Sequence, residues 1–173
     1  MGFLKFLGIA LLGLVVLVAV LSFTLDGNFT VERSVVINAT PAEVHPHIND
    51  FANWAAWSPF DKNDDTIVYT PGASSKGVGA SRSWTSDNSG NGSQKITKTD
   101  PQAGVWMDLD LDGQPAEVAF LFEPVEGGTK VTWHDQFEME GAMKVVGVVL
   151  VPMLLAPMFD QGLGDLKSVV EGT

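Results

Sequence analysis

Residues 30–44 read Thr30-Val31-Glu32-Arg33-Ser34-Val35-Val36-Ile37-Asn38-Ala39-Thr40-Pro41-Ala42-Glu43-Val44, a strand running straight into a helix start. Val31, Arg33, Val35 and Ile37 alternate with Glu32, Ser34 and Asn38, so Thr30 to Ala39 reads as a strand of about ten residues. Thr40 can cap the helix, Pro41 suits its first position, and Glu43 completes a capping box. That helix carries Val44, His47 and Ile48, and Pro46 keeps it short or kinked. Asn49 to Trp57 reads as a second short helix, ended by Ser58-Pro59.

Downstream the period is mostly two. Thr66 to Thr70 is one strand, Ala80, Arg82 and Trp84 share a face in the next, and Gln94 to Thr99 makes another. Val105, Met107, Leu109 and Leu111 form one face of the following strand, against Trp106, Asp108 and Asp110. Val118, Phe120 and Phe122 form the inward row of the next, and Val131, Trp133, Asp135 and Phe137 that of the last. Pro71-Gly72, Asn88 to Gly92, Asp112-Gly113 and Glu126-Gly127-Gly128 supply turns of hairpin length, which imply an antiparallel meander. Phe159, Leu163, Leu166 and Val170 then recur at helical spacing. A curved sheet with one long helix laid across its concave face is the assembly these elements favour.

Upstream of the strand lies a different kind of sequence. Phe6 to Leu25 is a run of 20 residues without a charge, closed by Lys5 and Asp26. As a helix it is about 30 Å long, the thickness of a bilayer's hydrocarbon core. Its end, Ala19-Val20-Leu21-Ser22-Phe23-Thr24-Leu25, is a poor cleavage site, and it has no polar face to suit a core helix. An uncleaved anchor is expected. Lys5 and the α-amino group before the span favour a cytoplasmic N-terminus. The chain is therefore expected to be a single-pass protein of the inner (cytoplasmic) membrane, with its domain on the periplasmic or extracellular side. Residues 1–28 form the anchor and linker, and residues 29–173 the folded domain.

Composition excludes several classes. The 173 residues hold 10 Lys+Arg against 21 Asp+Glu and no Cys. No disulfide scaffold, thiol chemistry or Cys-ligated metal is possible. A net charge of −11 with no basic cluster argues against nucleic acid. Residues 100–140 hold ten carboxylates and one Lys, a surface that anionic headgroups should repel.

Several stretches resemble the polyketide-cyclase-like branch of the START/Bet v 1-like (SRPBCC) superfamily. They are Val31 to Ala39, Pro41 to Val44, Ile48-Asn49-Asp50-Phe51 leading to Trp54, Trp57-Ser58-Pro59, Gly77-Val78-Gly79-Ala80 with Trp84, Gly128 to Trp133, and Gly162-Leu163 to Leu166-Lys167. Their shared order covers residues 29–171. The resemblance implies an α+β helix-grip fold, a curved antiparallel sheet of about seven strands around a long C-terminal helix. It also implies an apolar cavity of the kind relatives use for lipids, sterols, quinones or polyketides. Phe60 and Arg82 depart from the family's usual aromatics, and no catalytic residue carries over.

Local motifs are weak beside this. Asp108-x-Asp110-x-Asp112-Gly113 copies half an EF-hand loop, but Ala119 stands where the bidentate carboxylate belongs, so an outward face and a turn explain it better. His45 and His47 diverge on their helix and His134 faces outward, so no shared metal is expected. Asn28-Phe29-Thr30, Asn38-Ala39-Thr40 and Asn91-Gly92-Ser93 match glycosylation sequons, which arise readily by chance. Val145 to Phe159 is an uncharged run of 15 residues, broken by Gly147, Pro152 and Pro157 and rich in Met together with its flanks. It is too short to span a bilayer. It is either a kinked, buried start of the last helix or an apolar lid at a cavity mouth.

The expected pocket lies between the inward strand faces and the last helix. Met107, Leu109, Phe120 and Phe122 form its floor, Trp84 and Trp133 its wall, and Arg82 and Asp135 its polar groups. The reading is a carrier or binding module for a small lipophilic molecule, held on the bilayer by Phe6 to Leu25, with no cofactor or metal. A cyclase- or hydrolase-type enzyme using Arg82 and Asp135 is one alternative. A membrane-tethered interaction module is the other.

Overall fold

The computed structural model describes residues 2–141 and 143–173. An N-terminal helix, α1 (Gly2–Thr24), precedes strand β1 (Asn28–Ile37) and a short helix α2 (Pro41–Ile48). A 3-10 helix (Phe51–Ala56) and α3 (Pro59–Asn63) follow. Then come β2 (Val68–Pro71), β3 (Ser81–Thr85), β4 (Gly92–Asp100), β5 (Gly104–Leu111), β6 (Gln114–Val125) and β7 (Gly128–Glu138), and finally α4 (Met143–Glu171).

The seven strands form one antiparallel sheet in the order β1-β7-β6-β5-β4-β3-β2. The meander places neighbours in sequence side by side, and β1 closes the far edge against β7. Register fixes the inward faces: Val31, Asp135, Val118, Met107 and Ile96 stand in one row across five strands. Every one of them is buried. A one-residue slip on any strand would turn that row to solvent.

Polar ties set the course of α4. Asp160 meets Arg33 at 3.3 Å, Lys167 Nζ donates to the Val36 carbonyl at 2.8 Å, and Glu171 accepts from the Asn38 amide at 2.8 Å. The helix therefore runs alongside β1 in the same sense. Lys62 on α3 holds Asp165 at 2.9 Å from the other side. Phe159, Leu163 and Leu166 point between these ties into the core.

Several expectations are corrected. The second short helix is 3-10 over Phe51–Ala56, and Ser58-Pro59 starts a further helix instead of ending one. The Ser58 hydroxyl caps α3 by accepting from the Asp61 amide at 3.4 Å, and Pro59 sits where no amide partner is needed. The first hairpin strand begins at Val68, and β4 extends to Gly92–Asp100 with a bulge between Ile96 and Lys98. Pro152 and Pro157 do not interrupt α4, which is one helix of 29 residues. Each proline removes one backbone bond, while the flanking turns keep theirs. The capping box at α2 forms as read, with Glu43 Oε2 accepting from the Thr40 amide at 2.8 Å.

Candidate functional site

The eight residues expected around a pocket, Arg82, Trp84, Met107, Leu109, Phe120, Phe122, Trp133 and Asp135, are all buried on the face of the sheet that α4 covers. The centre of that face is aromatic. Phe120 lies 4.7 Å from Trp133, 5.6 Å from Trp57 and 5.8 Å from Trp54, centroid to centroid. Trp133 in turn stacks on Phe159 of α4 at 4.2 Å, its plane tilted by only 6°. Each of these three indoles has a hydrogen-bond acceptor: Ile48 O at 2.9 Å for Trp54, His47 O at 3.0 Å for Trp57, and Asp135 Oδ1 at 2.9 Å for Trp133. A buried indole N–H without one would be costly.

Trp54 and Trp57 were missed as inward residues. The signal was present as Phe51-x-x-Trp54-x-x-Trp57, because side chains three apart eclipse on a 3-10 helix. Three large rings on one side of such a turn must face the core.

Arg82 and Asp135 both point inward, and three strands separate the strands that carry them. They do not form one constellation. Arg82 pairs with Asp61, an acid on α3 that sequence reasoning left aside, with Nη1–Oδ1 at 3.0 Å and Nη2–Oδ2 at 3.3 Å. Its Nε donates to Gln94 Oε1 at 3.1 Å, and its guanidinium lies 4.2 Å from the Tyr69 ring centroid and 4.8 Å from that of Trp54. This fork is satisfied by the fold. Asp135 is different. Its register partners are Val31 and Val118, and burial pushes its carboxyl up to about 8, against which the Trp133 bond pulls down. A carboxyl held neutral in apolar surroundings can donate as well as accept.

Burial is unequal over the face. Phe120, Val105 and Ile96 are sealed, whereas Phe122 at one end of the face, and Phe137, Ala116, Leu109 and Trp84 toward the end where α4 begins, keep a small share of exposure. Above that end the first half of α4 leaves Val149, Leu150, Met153 and Leu154 about half or more exposed. Open grooves mark the surface of the described residues. One, of about 520 Å³, lies at this same end, lined by Leu109, Ala116 and Phe137 together with Lys95, Asp108 and Glu117, and another passes Trp106 and His134. A third lies between α2 and the end of α4 at Glu43 and Val170.

The remaining motifs have structural partners. Asp110 accepts from the Gly113 amide at 2.9 Å and Asp112 from the Asn91 amide at 3.2 Å, so these acids shape turns. Asp64 takes hydrogen bonds from Ser86, Ser89 and Thr66, which hold its carboxyl well below the usual range. His45 Nε2 meets Thr99 Oγ1 at 2.6 Å, and burial lowers the imidazole's affinity for protons. His134 turns outward to Glu32 at 3.0 Å.

The model of the family described as polyketide cyclase/dehydrase and lipid transport matches residues 28–171. The chain belongs to this family. It is the Bet v 1-like, SRPBCC group that the order of motifs resembles. Among solved structures, the family fold is shared with the KanY protein at 18% identity and a TM-score of 0.65, over 84% of this chain and 99% of that one. The Aha1 dimer from Colwellia psychrerythraea is similar at 18% identity and TM-score 0.60, covering 83% and 96%. Ara h 8.0201 is similar at 15% identity and TM-score 0.59, covering 85% and 100%. A search of curated proteins found no match. Membership of the family is consistent with hydrophobic ligand binding.

Proposed function

We propose that this polyketide-cyclase-family chain is a membrane-anchored binding or carrier module for a small lipophilic molecule. Phe6 to Leu25, all but its last residue in α1, is its anchor, the N-terminus is cytoplasmic, and the domain lies outside the inner membrane. The observation that carries the reading is the apolar surface at one end of the fold, where a groove of about 520 Å³ is lined in part by Leu109, Ala116 and Phe137. At that same end the first half of α4 exposes Val149, Leu150, Met153 and Leu154. Soluble proteins rarely leave such a patch without a partner. Asp135 is the polar group available to orient a ligand's single polar end.

The test is mass spectrometry of an organic extract of the full chain, purified from membranes in mild detergent. One lipophilic compound, enriched over the bulk lipid profile, is expected. An extract that merely copies the bulk profile would overturn ligand carriage. A reporter fused after Thr173 should be active only outside the cytoplasm, and cytoplasmic activity would overturn the orientation.

The packed rings of Trp54, Trp57, Phe120, Trp133 and Phe159 favour a second reading. A filled centre suits a tethered interaction module whose acidic surface meets a basic partner. An empty extract together with recovery of a basic protein on crosslinking would favour it.

A further inference from the structure

We infer that the first half of α4 lies in the acyl–headgroup boundary of the bilayer that holds α1, so that the domain meets the membrane through two helices. This rests on the reading of α1 as the anchor.

The geometry starts at the tether. Only Leu25, Asp26 and Gly27 separate α1 from β1, a span of about 10 Å at full stretch. Gly27 is itself pinned, because its carbonyl accepts from the Met139 amide at 3.0 Å and a Cβ on it would meet Met139 O. Lys144 Cε comes within 3.3 Å of that same point. The end of α1, the start of β1 and the first turn of α4 therefore meet at one junction, and α1 packs against α4. A domain so tethered cannot hold this end of α4 away from the bilayer surface.

The helix leaving that junction suits the place. Met143, Val149, Leu150, Met153 and Leu154 are exposed. At 100° per residue Met143, Leu150, Met153 and Leu154 form one stripe turned away from Phe159, Leu163 and Leu166 in the core, and Val149 lies at its edge beside Ala156. From Val145 to Phe159 there is no charge, and over about 22 Å the stripe meets nothing but apolar or small groups. Charges resume only at Asp160, where the helix is tied to β1. Lys144 stands at the near end, where a long stem can follow the apolar surface to a phosphate. Length and composition alone would let α4 cross a membrane, but its second half is locked between sheet and α3, so it lies against the bilayer instead. The groove edged by Leu109, Ala116 and Phe137 then opens beside the lipid, and a lipophilic molecule can pass between bilayer and domain without crossing water.

The absence of cysteine makes the test direct. Met153→Cys and Leu154→Cys variants of the full chain carry an environment-sensitive fluorophore, with Val16→Cys in α1 and Val125→Cys at the end of β6 for comparison. Each is reconstituted in phosphatidylcholine vesicles and quenched either by nitroxide-labelled lipid or by aqueous iodide. Lipid quenching at residues 153 and 154 should be about threefold or more above that at 125, with iodide showing the reverse order. Iodide quenching at 153 and 154 equal to that at 125, with Val16 still quenched by lipid, would overturn the insertion and leave the anchor standing. Loss of lipid quenching at Val16 would overturn the anchor and this inference together. Protection from both quenchers, with crosslinking of 154 to a second copy, would assign the stripe to a dimer and overturn the bilayer as its partner.

Discussion

Arg82 and Asp61 form a two-pronged ion pair at 3.0 and 3.3 Å, each side chain only 8% exposed. It joins strand β3 to the short helix α3 and brings the 3-10 turn with them, because Phe51 and Trp54 flank the guanidinium. Asp61→Asn leaves a buried cation half-paired and should cost about 3–5 kcal/mol in denaturant unfolding. Arg82→Met with Asp61→Leu removes both charges and should recover most of that loss. A single substitution costing less than about 1 kcal/mol would mean that water reaches the pair and screens it.

Gly162 and Gly164 give a pair with opposite signs. A Cβ at Gly162 would stand 2.7 Å from Pro59 Cδ and 2.9 Å from Trp133 Cζ3, so Gly162→Ala must push apart α4, α3 and the central tryptophan. A loss of about 1–3 kcal/mol is expected. Gly164, two residues on, has nothing within 4 Å of such a Cβ. Gly164→Ala should add about 0.5–1 kcal/mol by better helix propensity. Chemical unfolding followed by tryptophan fluorescence reads both. A stabilising Gly162→Ala would contradict the close packing there.

The two halves of α4 should respond differently to the same change. Phe159 is fully buried against Trp133, so Phe159→Ala should cost about 3–5 kcal/mol. Leu154 is 68% exposed, and Leu154→Ala should change stability by no more than about 0.5 kcal/mol. Equal and large losses at both positions would place residue 154 in the core.

Period-two patterning made the sheet legible. Register followed from rows such as Val118, Phe120 and Phe122, since a slipped strand exposes its whole set. The inward charges Arg82 and Asp135 were legible for the same reason. Their partners were not. Asp61 follows a Ser-Pro pair that was read as a stop, and only the fold brings α3 over β3. Trp54 and Trp57 were hidden because neither the helix nor the strand period aligns them with Phe51, whereas the period of three that a 3-10 turn imposes does. The continuity of α4 stayed one of two readings because two prolines argue locally for breaks, while ties to Arg33, Val36 and Asn38 decide the course of the helix from outside it.

Asp135 sets a pH dependence whose sign can be worked out. Its carboxyl, 4% exposed, faces Val31 and Val118 across the sheet, and Trp133 Nε1 donates to it at 2.9 Å. Burial raises its pKa from 3.8 to about 8. Between those values the folded chain keeps a proton that the unfolded chain releases. Stability from this group therefore falls as pH rises through the window, by up to about 1.4 kcal/mol per pH unit, and levels off above it. Asp135→Asn keeps an oxygen for the Trp133 N–H and cannot ionise. It should match the parent near pH 4 and exceed it increasingly toward pH 8. Urea unfolding of both chains at several pH values measures the difference, in which every other titrating group cancels. Parallel curves would show that Asp135 ionises as readily in the fold as outside it, and would remove the neutral donor that the ligand reading assigns to it.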